Sequence, residues 1–179
     1  MAKLVSRELK NQIVVRSADS VPNIYQEVDT SVDQETDFML ASIKDTILAI
    51  EITKVLEVIE GFEVTPLYKV TDYIRGLINL RGQVLACIDL ADFLGYDFTV
   101  LDERNKFIVV NVEGVEFALC IDESVGIETL NTAHFQSSEK VFKSEINQYF
   151  PDFVEQDGQV KLIFKPELFL KDPDLVKYK

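Results

Sequence analysis

The most informative stretch of the chain is 73–90, which reads YIRGLINLRGQVLACIDL. Two apolar segments meet at the turn Leu80-Arg81-Gly82-Gln83, a pattern typical of a β-hairpin. Gly82 permits a backbone conformation that a residue with a Cβ atom resists. The stretch therefore predicts two strands, with Arg81 held at the tight corner between them.

A guanidinium held at such a corner has two interpretations. Its planar fork of donors is suited to carboxylates or helix-end carbonyls on another protein. It is equally suited to one of the chain's own carboxylates, since the sequence contains 31 aspartates and glutamates. The residues alone leave both interpretations open for Arg81.

The chain around this stretch has the texture of an all-β protein. From Phe38 onward, short apolar segments are separated by turn formers such as Lys44-Asp45 and Gly61. This rhythm predicts a small barrel or sandwich rather than a parallel α/β sheet. Short helical pieces are expected only at 90–95, 147–152 and 166–170, from apolar spacing and from glycine and proline at their ends.

The second half of the chain repeats the order of features in the first. A shift of 69 positions sets Val112-Glu113-Gly114-Val115 on Ile43-Lys44-Asp45-Thr46 and Ala118 on Ala49. A slightly larger shift sets Gly158-Gln159-Val160 on Gly82-Gln83-Val84. A period near 70 residues is too long for a solenoid, so the sequence predicts two related β subdomains.

The termini differ from the repeated region. Residues 1–37 do not alternate, and their second half adds six acidic side chains with few large apolar ones. We therefore expect a poorly ordered N-terminal extension over 1–37, one folded domain over 38–170, and a C-terminal tail over 171–179.

Composition excludes several classes of function. The net charge of −13 opposes binding to nucleic acid. The chain has no apolar run near the roughly 18 residues that cross a bilayer and no recognisable signal peptide, so we expect a cytoplasmic protein without direct membrane insertion.

Cys87 and Cys120 lie in apolar runs and are predicted to be buried thiols, and with His134 they lack the spacing of a zinc site or a triad. We expect no cofactor, no metal and no catalytic residues.

The stretch resembles the signature of the CheW family. A strand ending in Arg-Gly, an Asn-Leu-Arg-Gly turn and an apolar strand closing on Asp-Leu all occur, at Arg75-Gly76, Asn79–Gly82 and Ile88–Leu90. Elements upstream at 49–67 and downstream at 114–122 extend the resemblance over about residues 38–170. Ala86-Cys87 and Ser124 depart from the family pattern, and residues 131–150 are hard to align.

The resemblance implies an all-β fold with short helices, built as two five-stranded SH3-like β-barrel subdomains that are intertwined in one CheW-like domain. It implies a non-enzymatic adaptor that couples chemoreceptors, the methyl-accepting chemotaxis proteins, to a CheA-type histidine kinase. The partners would be the cytoplasmic tip of the receptor and the regulatory domain of the kinase, at membrane receptor arrays. The departures leave open an adaptor of a type IV pilus chemosensory system, or a barrel interaction module outside chemosensory signalling.

By the same resemblance, Val55, Glu57, Asn79 and Arg81 are candidates for a receptor-binding groove between the subdomains. Tyr73 and Arg75 are candidates for the edge of that interface, with ordinary surface packing as the alternative. Asp89 and Asp122 follow strand ends, where carboxylates usually cap turns.

Strand periodicity gives a further expectation for the candidate groove. If residues 51–59 are extended, Val55 and Glu57 share one exposed face, and Leu56 and Val58 lie on the other. A helical stripe fits the same residues, so the burial of Val55 stays open.

Overall fold

The computed structural model describes residues 34–98, 100–102, 104–140 and 145–173, with the side chains of Lys140, Glu145 and Ile146 left aside. The chain divides into the units Met1–Val32 and Asp33–Lys179, and every described residue lies in the second unit. Residues 1–33 lie outside the described part of the chain, so the predicted disorder of the extension stays a prediction there. The predicted tail also lies outside it from residue 174 onward. The first strand begins at Glu35, three residues before the expected start of the domain.

The described residues form eleven strands, which confirms the all-β prediction. The strands are β1 (Glu35–Ile43), β2 (Thr46–Glu51), β3 (Val55–Glu60), β4 (Ile74–Leu80), β5 (Gln83–Ile88), β6 (Lys106–Val112), β7 (Val115–Ile121), β8 (Glu123–Asn131), β9 (Gln136–Ser137), β10 (Asp152–Gln156) and β11 (Gln159–Phe164).

Short helices interrupt the strands. Helix α1 (Pro166–Phe169) and the 3₁₀ turns Asp92–Leu94 and Glu145–Gln148 lie at or beside the three predicted places. Gly95 ends its turn in the left-handed conformation, with φ of 79°, and Pro166 begins α1, as expected from their backbone preferences. Three further 3₁₀ turns, Ile52–Lys54, Thr132–His134 and Ser138–Lys140, were not predicted. No helix in the described part of the chain has the length and apolar character needed to cross a bilayer.

The strands form two sheets. One has six strands in the order β8-β1-β2-β11-β10-β9, and the other has five in the order β3-β6-β7-β5-β4. The five-stranded sheet matches the expectation, and the two-residue β9 adds a sixth strand at the edge of the other sheet. Neither ladder of backbone hydrogen bonds closes into a complete barrel among the described strands.

The two sheets are built alike, and each takes strands from both sequence repeats. The parallel pair β2–β11 aligns Leu48 with Leu162, and the parallel pair β5–β7 aligns Phe117 with Ala86. Phe117 lies 69 positions after Leu48, and Leu162 lies 76 after Ala86, so the structure reproduces both shifts found in the sequence. Strands β1 and β2 of the first repeat join β8, β10 and β11 of the second, while β6 and β7 of the second repeat join β3, β4 and β5 of the first. The prediction of two related β subdomains is confirmed, and each sheet combines strands from both repeats.

Within the described part of the chain, three hydrophobic clusters hold the sheets. The largest lies between them and includes Ile50, Val110, Phe117 and Phe169. A second cluster is made by the five-stranded sheet and includes Ile59, Leu85 and Cys87, and a third is made by the six-stranded sheet.

A partly buried ion pair lies in the six-stranded sheet, at the positions equivalent to two core residues of the second cluster. The residues equivalent to Ile59 and Leu85 are Glu128 and Lys161, whose Oε1 and Nζ atoms are 2.5 Å apart. Lys161 is only 3% exposed. This pair joins the edge strand β8 to β11, which is not its neighbour in the six-stranded sheet.

Gly76 lies where two segments approach closely. Thr65 forms a bridge to Leu77, with its N–H donating to the Leu77 carbonyl at 2.8 Å and the Leu77 N–H donating back at 2.9 Å. A Cβ atom on Gly76 would lie 2.3 Å from the Thr65 carbonyl oxygen, and Gly76 has φ of 151°. Only glycine fits this position without displacing the segment that covers the edge of β4.

Candidate functional site

The predicted hairpin between β4 and β5 presents Arg81 at its tip. Arg81 and Gly82 have φ of 52° and 91°, the positive values that two-residue hairpin turns of this twist require. The Gly82 N–H donates to Oδ1 of Asn79 at 2.8 Å. The Asn79 side chain therefore stabilises the turn that carries Arg81.

Arg81 forms a two-pronged ion pair with Glu57. The guanidinium donates from Nη1 to Oε1 at 3.1 Å and from Nη2 to Oε2 at 3.0 Å. Glu57 lies on β3 and Arg81 follows β4, and these strands are the two edges of the five-stranded sheet. The pair thus spans the seam at which the backbone ladder stays open.

The pair remains accessible to solvent. The Arg81 side chain is 77% exposed and that of Glu57 is 32% exposed. The Glu57 carboxylate accepts from two of the five N–H donors of the Arg81 guanidinium. It thereby fixes the orientation of the guanidinium. Of the two interpretations of Arg81, pairing within the chain is therefore observed, and it leaves much of the guanidinium at the surface.

The strand that carries Glu57 alternates in exposure, with Val55, Glu57 and Ile59 on its more buried face. The 3₁₀ turn Ile52–Lys54 separates β2 from β3, and a bulge shifts the register between Val55 and Glu57. Leu56 and Val58 are 53% and 38% exposed, while Val55 is half-buried against the largest cluster. The sequence leaves the burial of Val55 open, and the structure places Val55 on the more buried face of the strand.

The structure therefore brings together three of the four groove candidates. Glu57, Asn79 and Arg81 meet around the hairpin tip, whereas Val55 packs toward the core shared by the two sheets. Their role in binding a receptor stays a prediction.

The two edge candidates make contacts within the chain. The Tyr73 ring packs 5.2 Å from that of Phe93 and 5.6 Å from that of Phe169. The Arg75 guanidinium lies 4.7 Å above the ring centre of Phe98. These contacts position both side chains, and an interface role for them stays a prediction.

The two aspartates cap turns. Oδ1 of the buried Asp89 accepts from the Ala91 N–H at 2.9 Å, and Asp122 accepts from the Lys44 N–H at 2.6 Å. Both carboxylates thus satisfy backbone donors that follow strand ends.

The two cysteines are buried neighbours. Cys87 and Cys120 are free thiols with their Sγ atoms 3.2 Å apart. The hydrogen bond with Cys87, followed by burial, raises the pKa of Cys120 far above the usual value for a thiol. A nucleophilic thiolate is therefore strongly disfavoured at this position.

A cleft of about 920 Å³ lies beyond the other end of β3. Its three cations, Lys44, Arg104 and Lys106, each form an ion pair with a carboxylate, and the hydrogen bond from Arg104 lowers the pKa of Asp102. Across the described ranges, no three acidic, histidine or cysteine side chains are placed to hold a metal ion.

Sequence reasoning missed the apolar side chains that point outward from the two equivalent edge strands. They are Leu56 and Val58 on β3, and Val125 and Ile127 on β8. The shift of 69 positions relates them, and each strand has a bulge beside the first of its two apolar residues.

Comparison with known sequences gives one family. A family model described as CheW-like domain matches residues 37–174. The chain is 30% identical over 96 residues to the chemotaxis protein CheW of Thermotoga maritima, covering 52% of this chain and 62% of that protein. It is 24% identical over 112 residues to the chemotaxis protein CheW of Bacillus subtilis, covering 63% of this chain and 72% of that protein. It is 26% identical over 110 residues to Protein PilI of Pseudomonas aeruginosa, covering 62% of this chain and 61% of that protein.

The fold also has a solved counterpart. The scaffolding protein TtCheW of Thermoanaerobacter tengcongensis superposes with a TM-score of 0.68 at 19% identity, covering 78% of this chain and 94% of that one. At this identity the match concerns the fold, and it agrees with the two-sheet architecture described above.

Proposed function

The chain belongs to the CheW-like domain family, and from this membership we propose that it is a non-enzymatic adaptor that couples chemoreceptors to a CheA-type histidine kinase. Two relatives bear the name chemotaxis protein CheW, and the structural counterpart is titled a scaffolding protein. The adaptor would act in the cytoplasm, at arrays of membrane receptors.

The observation that carries this proposal is the exposed Arg81–Glu57 pair on the seam of the five-stranded sheet. A guanidinium fixed by a carboxylate and a two-residue turn loses little freedom when it binds. Its unused donors suit the carboxylates and helix-end carbonyls of a helical receptor tip. Arg81 would be the anchor, with Glu57 and Asn79 as the residues that position it.

The adaptor needs no chemistry of its own. Each sheet contains strands from both repeats, and a common hydrophobic cluster fills the space between the sheets. Such a body moves as one piece, so it holds two partners at a fixed distance and orientation. A change at the receptor would then alter the contacts made with the kinase regulatory domain on another surface.

A second candidate is an adaptor of a type IV pilus chemosensory system. The observation that favours it is the 26% identity to Protein PilI. The same site and the same mechanism would serve either pathway. The receptor and kinase that the protein recovers from its own cell distinguish the two.

The test is a pull-down of the protein from its own cytoplasm, with Arg81→Ala and Glu57→Ala beside the wild type. Arg104→Ala is the matched control, because Arg104 is also an exposed arginine, paired with Asp102. We expect the wild type and the control to recover a receptor and a CheA-type kinase. Loss of an anchor residue commonly weakens binding by about tenfold or more, so Arg81→Ala should lose the receptor and keep the kinase.

Two outcomes would count against the proposal. Equal loss of the receptor in the Arg81 and Arg104 variants would remove the site and leave the adaptor function standing. Recovery of neither partner by the wild type would remove the function, and a barrel interaction module outside chemosensory signalling would then be the remaining interpretation.

A further inference from the structure

Strand β8 is an edge strand with unusual exposure. It pairs with β1 on one side, and no strand among the described residues pairs with its other side. Val125 and Ile127 are 55% and 62% exposed, and every residue from Glu123 to Ile127 is exposed. An unpaired strand edge that exposes apolar side chains can serve as a template for pairing with another strand.

The equivalent edge strand β3 serves as an internal comparison. It has the same two apolar positions, Leu56 and Val58, and both strands have a bulge at the equivalent place. The residue between the apolar pair differs, because β3 has Glu57 and β8 has Gly126. An antiparallel pairing of β3 with a second β3, centred on this residue, would set two glutamates directly opposite each other, which is unfavourable.

Strand β8 is complementary to itself in the same register. Centred on Gly126, an antiparallel pair sets Val125 of each copy against Ile127 of the other, and Glu123 against Thr129. No acidic residue faces another, and two apolar cross-strand pairs form, each of which stabilises a sheet. A two-fold axis makes every contact occur twice.

We propose that the free edge of β8 is a self-association surface, at which two copies of this chain pair their β8 strands antiparallel around a two-fold axis. The strand that pairs with β8 is the β8 of a second copy, because the register centred on Gly126 joins the apolar residues and places no two acidic residues opposite each other. The two six-stranded sheets become continuous across the axis. Strand β3, whose Glu57 is held by Arg81, stays outside this contact.

The first measurement is sedimentation equilibrium of the full chain over a range of concentrations. The wild type should rise from the 20.4 kDa of one chain toward twice that mass. Ile127→Lys places a charge at both apolar pairs, so it should weaken self-association by about tenfold. The matched control is Val58→Lys at the equivalent position of β3, which should leave the equilibrium unchanged.

The second measurement locates the contact. Hydrogen exchange at the backbone amides of β8 should slow as the protein concentration rises, while exchange in β3 should stay the same. A wild type that remains at the mass of one chain up to about 1 mM, at the weak end of the affinity scale, overturns the proposal. The proposal is also overturned if Ile127→Lys and Val58→Lys weaken self-association equally, or if the chains associate while hydrogen exchange at the β8 amides does not slow.

Discussion

Replacing Gly76 by alanine is the most direct test of how the signature stretch is held. The added Cβ atom would lie 2.3 Å from the Thr65 carbonyl oxygen, 2.8 Å from Val64 Cγ1 and 2.9 Å from the Thr65 carbonyl carbon. Real Cβ atoms do not approach backbone this closely, so the segment around Thr65 must move away from β4.

The cost has two sources. Moving the segment breaks the two hydrogen bonds of the bridge between Thr65 and Leu77, each with a net value of about 1 kcal/mol. The φ of 151° adds a backbone strain of about 1–3 kcal/mol for a residue with a side chain. The free energy of unfolding should therefore fall by about 3–5 kcal/mol, a large share of the 5–15 kcal/mol typical of a domain.

Urea unfolding followed by circular dichroism measures this loss, since the chain has no tryptophan. Gly82→Ala is the control: it also has a positive φ, of 91°, but no atom lies within 4 Å of the added Cβ. Its cost should be the conformational one alone, about 1–2 kcal/mol. Equal losses for the two variants would refute the steric argument at Gly76.

Three further predictions concern the two cysteines, the Glu128–Lys161 pair and the cap at Asp122. Cys87 and Cys120 should react with a thiol reagent only as fast as the protein unfolds, and rapid labelling in the native state would contradict their burial. Glu128→Ile should lower the free energy of unfolding by about 3–5 kcal/mol by leaving Lys161 without its partner. The double variant with Lys161→Leu should recover that loss in the same urea measurement, and failure to recover would refute the equivalence of the two sheets. Asp122→Ala should cost about 1 kcal/mol through its lost cap, whereas a neutral result would contradict the hydrogen bond to Lys44.

The elements that sequence predicts well here are those with local causes. The hairpin at Arg81-Gly82 follows from two apolar segments and a glycine, and the turn at Glu113-Gly114 was found by its likeness to Lys44-Asp45. Both are two-residue turns in the structure, closed by the pairs Leu80–Gln83 and Val112–Val115. Turn chemistry of this kind depends on a few adjacent residues, so the sequence displays it directly.

The elements that it predicts poorly have distant causes. The burial of Val55 depends on a bulge opposite β6 and on the 3₁₀ turn before β3, and no periodicity contains either. The exchange of strands between sheets depends on pairings such as β1 with β8 that join residues nearly 90 positions apart. The resemblance selected Glu57 and Arg81, but only the structure shows that they bind each other.

The order of strands along the chain has a consequence for biosynthesis. The five-stranded sheet is made of consecutive strands, β3 to β7, and its last residue is Ile121. It can therefore assemble while the ribosome is still adding the C-terminal third of the chain. The β1–β2 hairpin is made before the five-stranded sheet, yet its neighbours β8 and β11 are both made after that sheet. Until β8 and then β11 emerge, this hairpin presents unpaired edges, so the start of the domain is exposed to wrong pairing for longer than the five-stranded sheet.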